Sequence, residues 1–457
     1  MEKKFFQKPT AEQLSMCFSQ MTGMEVPKIH KEYKTDAPTP IRPVAEYEEM
    51  GGAVISYIGT EAPDPEHKQL PPHGARTFGI PNDLIIKMQQ LEDKNAKPVH
   101  IFILCGDKSQ REPIIASLRQ TAEQENLAFD PDLVHLIPWD SDTYWTRDFA
   151  PWWVKYTDKE KDIYAISKHI YTSLGGGSVG MIEGAEEVNP REGSGIFRCN
   201  DDYGAVKISD YFNAPIRKWN KASWGGKKQP DPIEPHRWFF SGLLNVGGNY
   251  MATSKGVIAS SYLVATQNEL PTDYNPEGPD EKTLDSRMNY ILQQTNRFLG
   301  INTYHVLADP TGTYIGHIDC WGKFLSDTKV LIAENEDEDI NEGLNEIADY
   351  FSQHGFEVYR VMCQNIYVPQ EPEEAATTAA YTNSLILNKH VYVPLSGCKD
   401  RDEEAIKVYQ EALGREYTIH GIYGKPETPW LGTDALHCRT NAIPRQIVDN
   451  WLKSQNM

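Results

Sequence analysis

Residues 381–394 read Tyr-Thr-Asn-Ser-Leu-Ile-Leu-Asn-Lys-His-Val-Tyr-Val-Pro, and this stretch indicates the fold class. Two apolar runs flank Asn388 and Lys389, and asparagine tolerates the positive φ that a tight hairpin turn requires. A helical pattern over Arg401–Leu413 and a strand pattern over Tyr417–Ile422 follow. Two strands, a helix and a further strand in this order are typical of an α/β fold.

The same alternation of short strands and amphipathic helices recurs from Ala53 onward. The predicted strands are Ala53–Tyr57, Val99–Cys105, Leu133–Pro138, Gly256–Val264, Lys329–Ala333 and Phe356–Met362, and the predicted helices are Asn82–Glu92, Glu112–Glu125, Glu281–Leu299, Asn341–His354 and Ile443–Lys453. Asp339 or Asn341 is the expected cap of the helix Asn341–His354. Residues 173–235 are rich in Gly, Lys and Pro and predict a long insertion with few helices or strands.

Composition and charge exclude several classes of protein. The 45 Lys and Arg residues against 65 Asp and Glu residues give a formal charge of -20, which disfavours nucleic acid and favours cationic ligands. Solubility alone also explains an acidic surface. Seven scattered cysteines without a C-x-x-C pair argue against a disulfide framework and a zinc site. No apolar run has the length of a signal peptide core or a membrane span, so we predict a soluble, cytoplasmic protein, with a secreted form that has lost its signal left open.

The segment from Trp139 to Trp153 combines carboxylates with aromatic rings. Three carboxylates and six aromatic residues within fifteen positions suit a pocket for a flat cation, because carboxylates pair with guanidinium and aromatic faces attract cations. An aromatic core patch with an internal Arg147–Asp148 pair explains the composition equally well.

A second segment, Gly316–Trp321, carries His317 and Asp319. On a strand these two side chains point the same way, which allows a proton shuttle beside a cation anchor. A structural histidine with a hydrogen-bonded ring is the alternative. Metal binding has less support, because H-x-D supplies only two ligands.

Cys438 is the strongest candidate for a nucleophile among the cysteines. It lies in the polar, Gly-containing segment Gly432–Asn441, and the neighbouring His437 and Arg439 are expected to lower the pKa of its thiol. Cys320 is the second candidate. The glycine pair in Val246–Met251 allows close approach of the backbone to a ligand, although G-G-N also describes many turns.

Taken together, these segments resemble the guanidino-group-modifying superfamily, and most closely the Porphyromonas-type peptidylarginine deiminases. The motifs that carry the resemblance occur in order along the chain and are Tyr144–Asp148, Gly247–Met251, His317–Lys323, Tyr381–Asn388 and Thr428–Thr440. The resemblance covers about Val44 to Pro444 and implies a five-bladed α/β propeller around a central substrate pocket. We therefore divide the chain into an N-terminal extension at residues 1–43 and one catalytic domain at residues 44–457, with the insertion at 173–235.

The resemblance also implies roles for individual residues. Asp148 and Asp319 would bind the guanidinium nitrogens, His317 would be the general acid and base, Asn383 would support the nucleophile, and Cys438 would attack. Trp145 and Tyr314 would line the substrate channel, and no metal or organic cofactor is expected. The expected product is a ureido group such as citrulline, formed with ammonia through a thiouronium intermediate on Cys438.

The substrate is less well defined than the chemistry. The resembled family binds the carboxylate of a C-terminal arginine with two arginines, whereas this chain keeps only Arg198. A peptidylarginine deiminase is the first hypothesis, and a deiminase of agmatine or free arginine is the alternative. A catalytically inactive guanidinium-binding protein is disfavoured because every implied catalytic residue is present, and an amidinotransferase stays open. The sequence makes no prediction of oligomeric state.

Overall fold

The structure is a computed structural model of the chain. It describes residues 33–34, 37–59, 76–94, 96–158, 160–171, 199–222, 230–261, 263–264, 291–311, 316–367, 376–424, 430 and 434–455. Within these ranges no helix is both long enough and apolar enough to cross a membrane.

Short strands and helices alternate along the described chain. The strands are β1 (Tyr33–Lys34), β2 (Ile41–Pro43), β3 (Met50–Ser56), β4 (Ile58–Gly59), β5 (Arg76–Thr77), β6 (His100–Leu104), β7 (Val134–Ile137), β8 (Trp152–Asp158), β9 (Lys161–Ile170), β10 (Arg237–Leu244), β11 (Met251–Ala252), β12 (Val257–Ser261), β13 (Thr303–Leu307), β14 (Gly322–Phe324), β15 (Lys329–Glu334), β16 (Glu357–Met362), β17 (Asn365–Tyr367), β18 (Ala376–Thr378), β19 (Leu385–Leu387), β20 (His390–Pro394), β21 (Thr418–Ile422) and β22 (Asn441–Pro444). The helices are α1 (Asn82–Lys87), α2 (Arg111–Glu125), α3 (Thr146–Phe149), α4 (Cys199–Lys221), α5 (Glu338–Gln353), α6 (Lys399–Leu413) and α7 (Arg445–Gln455), and residues 291–299 are also helical.

The predicted hairpin at residues 381–394 is confirmed. Strands β19 and β20 pair antiparallel, and Asn388 in the turn has a φ of 58°. Helix α6 then returns the chain so that β21 pairs parallel with β20. The unit buries apolar side chains of its strands and of α6 in one core with α5 and β15. A hairpin followed by a helical crossover is the local structure that the sequence predicts.

The same unit recurs in four other places. An antiparallel pair followed by a parallel crossover is formed by β8, β9 and β10, by β11, β12 and β13, and by β14, β15 and β16. The remaining unit joins distant parts of the chain, because β22 pairs antiparallel with β3, which pairs parallel with β6. The sheets of these five units are separate and mixed, and none of them closes on itself in the described residues. The α/β prediction is confirmed at this level.

Most predicted elements occur close to their predicted bounds, and two regions differ. Helix α4 lies inside the predicted insertion 173–235 and forms the crossover between β9 and β10, so the expected lack of helices is wrong there. Strands β1 and β2, from the predicted extension 1–43, pair with β10 and β8. The N-cap of α5 is Asp337, which accepts hydrogen bonds from the amides of Asp339 and Ile340, and not Asp339 or Asn341.

The links between consecutive units carry the motifs that the sequence analysis singled out. Asp148 precedes β8, Gly248 lies between β10 and β11, and Asp319 lies between β13 and β14. Asn383 precedes β19, and Cys438 lies between β21 and β22. Each unit therefore packs an apolar core, while the links supply the reactive side chains.

Candidate active site

Five of the predicted site residues come together from four links between units. The Sγ atom of Cys438 lies 3.0 Å from Nδ2 of Asn383 and 3.5 Å from Oδ2 of Asp319. Nδ1 of His317 lies 4.0 Å from Oδ1 of Asp148. All five side chains are buried. Of the other predicted residues, Trp145 is described, and Arg198 and Tyr314 lie outside the described residues.

A short helix places Asp148. Helix α3 begins after Trp145, and the amide of Arg147 donates a hydrogen bond of 3.1 Å to the carbonyl oxygen of Cys438. The amide of Gly248 donates to Oδ1 of Asp148 at 3.2 Å. The backbone therefore ties the Asp148 link directly to the link that carries the cysteine.

The glycine pair is required by close packing. A Cβ at Gly247 would collide with the carbonyl oxygen of Arg147. A Cβ at Gly248 would lie 2.5 Å from Nδ1 of His317, 3.1 Å from Oδ1 of Asp148 and 3.2 Å from Oδ2 of Asp319. The backbone of Gly248 thus occupies the point where three candidate catalytic side chains meet.

The segment around His317 is not a strand, so that prediction is wrong. Residues Ile318–Cys320 form a turn of 3₁₀ helix. Oδ1 of Asn249, the third residue of the G-G-N motif, accepts hydrogen bonds from the amides of Ile318 at 3.2 Å and Ser261 at 2.8 Å. These bonds hold the turn against the neighbouring link. His317 and Asp319 therefore reach the same site because of this turn, and not because side chains alternate along a strand.

Asn383 contacts both the sulfur and the backbone of the cysteine link. Its Nδ2 donates to Sγ of Cys438, while its Oδ1 accepts from the amides of Cys438 at 3.1 Å and Ala435 at 3.2 Å. One buried amide therefore sets the position of the sulfur and the conformation of the loop.

The pKa of the Cys438 thiol is raised, contrary to the expectation that its basic neighbours lower it. Burial raises this pKa well above its usual value, and the charges of Asp319 and Asp434 raise it further. Arg439 is turned away to Asp434, with Nη2 at 2.7 Å from Oδ2. His437 is directed to Asp319. The thiol is consequently neutral before a substrate binds.

Neutral iodoacetamide is expected to alkylate Cys438 slowly at about pH 7 and increasingly fast up to about pH 10. Only the thiolate reacts, and the raised pKa leaves little thiolate at neutral pH. The rate of alkylation is measured at each pH by mass spectrometry of the Cys438 peptide. The exposed Cys398 serves as the internal reference. Rapid, stoichiometric labelling of Cys438 at neutral pH would contradict the neutral resting thiol.

The two carboxylates of the site differ in their surroundings. Burial alone would raise the pKa of Asp319, but the hydrogen bond and charge of His437 hold that pKa below its usual value. Asp148 accepts from the backbone amide of Gly248. Two carboxylates, a histidine and a thiol in a buried space can bind a planar cation and present a nucleophile to it.

The aromatic segment packs some of its rings in the core and leaves Trp145 partly exposed. Trp152 stacks on Tyr250 with ring centroids 4.1 Å apart, and Trp153 is buried in a core cluster. Trp145 is partly exposed, and its Nε1 donates to Oδ2 of Asp434 at 2.8 Å. Arg147 does not form the expected pair with Asp148; its Nε donates to the carbonyl oxygen of His437.

Sequence reasoning missed three charged groups behind the site. Glu46, Arg147 and Lys323 line a cavity of about 70 Å³ together with Asp319 and His437. Glu46 lies in a segment without a motif, so no local signal identifies it. The described residues contain no group of three or more His, Cys, Asp and Glu side chains that could hold a metal ion.

Comparisons with known proteins find one similar family and several similar structures. The family model of the Porphyromonas-type peptidyl-arginine deiminases matches residues 282–444, which contain His317, Asp319, Asn383 and Cys438. An agmatine deiminase of Enterococcus faecalis has a similar structure with a TM-score of 0.56 and 15% sequence identity, over 88% of this chain and 96% of that chain. An agmatine deiminase of C. jejuni has a TM-score of 0.54 and 15% identity, over 88% and 96%.

The two kinds of comparison support different conclusions. At 15% identity the solved structures show a shared fold. The family model shows a relation in sequence over the segment that holds most of the site. The match over residues 282–444 confirms the predicted resemblance to the Porphyromonas-type peptidyl-arginine deiminases, and it supports the prediction of a hydrolase that acts on guanidino C–N bonds.

Proposed function

We propose that this protein converts the guanidinium group of an arginine-type substrate to a ureido group and ammonia, with Cys438 as the nucleophile. The observation that carries the proposal is the placement of the Cys438 thiol 3.5 Å from the Asp319 carboxylate, with Asp148 and His317 beside it. A bound guanidinium would neutralise the carboxylates, and its central carbon would face the sulfur.

The groups in the site supply each part that the reaction needs. Guanidinium is delocalised and stays charged, so the carboxylates of Asp148 and Asp319 orient its nitrogens. The substrate's charge stabilises the Cys438 thiolate, which adds to the carbon, and His317 transfers the thiol proton to the departing nitrogen so that ammonia leaves. Water then attacks the thiouronium group, gives a proton to His317, and releases the ureido product and the thiol. General acid and base catalysis of this kind contributes about 10²–10⁴-fold in rate.

The preferred substrate in this proposal is peptidylarginine, converted to citrulline. The family match supports it, and the fold shared with agmatine deiminases supports agmatine or free arginine as the alternative. Ammonia release from agmatine, free arginine, and peptides with internal or C-terminal arginine separates these substrates. Turnover of agmatine alone would overturn the peptidyl assignment, and no turnover of any of them would overturn the proposed function.

Replacement of Arg198 by alanine is expected to weaken substrates with a free carboxylate selectively. A charge-assisted hydrogen bond to a carboxylate contributes roughly 1.5–3 kcal/mol, so kcat/KM for a C-terminal-arginine peptide should fall about 10–100-fold. Agmatine has no carboxylate and is the matched control. Steady-state kinetics on both substrates test this, and an equal loss on agmatine would contradict the role of Arg198.

The arrangement of the units belongs to the same proposal. We propose that the five strand units are the blades of a propeller whose links face a central pocket, because each link carries a candidate site residue. Residues 44–457 would form the catalytic domain, with residues 1–43 as an extension and 173–235 as an insertion. A cytoplasmic location stays a prediction from the sequence.

A further inference from the structure

His437 lies between two carboxylates in the interior of the protein. Its Nδ1 is 2.7 Å from Oδ2 of Asp319, and its Nε2 is 3.1 Å from Oε2 of Glu46. The histidine is buried, and it lies in the loop that the side chain of Asn383 holds in place. Both ring nitrogens are therefore committed to acidic partners.

The number of protons on the ring follows from these contacts. A neutral imidazole has one N–H group, and a carboxylate has none to offer. The charges of Lys323 and Arg147 lower the pKa of Glu46 against the opposing effect of burial, independently of the ring. A ring nitrogen without a proton would set its lone pair against a carboxylate oxygen, so the two contacts favour a proton on both ring nitrogens.

We infer that His437 is a positioning residue that stands as an imidazolium between Glu46 and Asp319 and holds Asp319 as an oriented carboxylate for the substrate. This inference rests on the proposed function, because it assigns Asp319 to the guanidinium. It adds His437 and Glu46 to the residues on which the reaction depends, and neither of them was predicted to have this role.

Glu46 is itself held from three directions. Nζ of Lys323 lies 2.9 Å from Oε2, and the amide of Ile386 donates to Oε1 at 2.8 Å. Nη2 of Arg147 lies 3.9 Å from Oε1. Because both oxygens have partners, the carboxylate cannot rotate away from His437, and the sequence Lys323, Glu46, His437, Asp319 forms a continuous line of alternating charge.

This line controls what Asp319 can do. Oδ2 of Asp319 is shared by His437 and by the thiol of Cys438 at 3.5 Å. An oxygen that already accepts from an imidazolium is a weak base, so it does not remove the proton from the thiol. The other groups facing the pair are Asp148, His317 and Arg147. With the cation of His437 in place, Asp319 stays ionised and the thiol stays neutral until the substrate arrives.

The test is the pH dependence of kcat/KM in three variants. His437→Gln removes the cation, so the pKa of Asp319 should rise and the acid limb of the profile should move up by about 1–3 pH units. At neutral pH kcat/KM should fall about 10²-fold, because a misplaced binding group costs about that much. Glu46→Gln should move the acid limb in the same direction by less. The matched control is Glu48→Gln, which removes a charge that pairs with Arg42 and should leave the profile unchanged.

A second measurement does not depend on catalysis. NMR of ¹⁵N-labelled histidine, with His437 assigned by comparison with His437→Gln, should show two ring N–H groups on His437 at neutral pH. One N–H group, or an acid limb of His437→Gln that coincides with that of the unmodified enzyme, would overturn the inference. Lack of ammonia release by the unmodified protein would overturn the proposed function, and the NMR result would still decide the charge of His437.

Discussion

Replacement of Cys438 by serine is expected to lower kcat by at least about 10⁴-fold, with little change in the stability of the fold. A hydroxyl at this position would need to lose its proton beside the charges of Asp319 and Asp434, which already raise the pKa of the thiol. The pKa of a serine hydroxyl is also far higher than the pKa of a thiol. An alkoxide in this buried site would therefore form even less readily than a thiolate. Ammonia release at saturating substrate gives the rate, and thermal unfolding confirms the fold.

The control for this variant is a second buried cysteine near the same carboxylate. Sγ of Cys320 lies 3.8 Å from Oδ1 of Asp319, whereas Sγ of Cys438 lies 3.5 Å from Oδ2. Cys320→Ser should keep activity within a few-fold, and acid quenching of the unmodified enzyme during turnover should leave a thiouronium adduct on the Cys438 peptide. If Cys320→Ser lost activity and Cys438→Ser kept it, the nucleophile would be Cys320 and our assignment of Cys438 would be wrong.

Replacement of Gly248 by alanine is expected to lower kcat/KM by about 10²-fold. The added methyl group would lie 2.5 Å from Nδ1 of His317, so the imidazole must move. It would also press on Asp148 and Asp319 at 3.1 and 3.2 Å, and all three groups are assigned to orient or protonate the guanidinium. A displacement of about one ångström is enough to produce a loss of this size.

Gly322→Ala is the matched control for this change. Gly322 is also buried near the site, but a Cβ there would meet Cδ1 of Ile332 at 3.4 Å, which is an ordinary contact with the end of a side chain. Its kinetics should stay within about twofold, and thermal unfolding of both variants separates a loss of activity from a loss of the fold. Equal kinetics of Gly248→Ala and the unmodified enzyme would show that the three side chains do not act from the positions described.

Local patterns predicted the elements that form compact, regular units. The hairpin at residues 381–394 and the helices α5 and α6 were predicted within a few residues, because apolar periodicity and turn residues agree there. Helix α4 was missed for the opposite reason. It contains Pro215, and it lies within a longer stretch whose glycine, lysine and proline content conceals its apolar face.

Side-chain direction accounts for most of what could not be predicted in the site. His437 and Arg439 flank Cys438 in sequence, so they were expected to act on its thiol. In the structure both side chains are directed to carboxylates, His437 to Asp319 and Arg439 to Asp434. The partner Glu46 is separated from them by most of the chain, and no spacing rule relates residues so far apart.

The pairing of β22 with β3 has a consequence for the time at which the protein becomes active. Asn441 is opposite Val54 in register, so this sheet forms only when segments from distant parts of the chain have met. Contacts of such long range form late and slowly, because a large loop must close first. Cys438 lies three residues before Asn441 and takes its position with that closure. The nucleophile that we propose is therefore not yet in position in a nascent chain on the ribosome, and it becomes reactive only after synthesis has passed this strand.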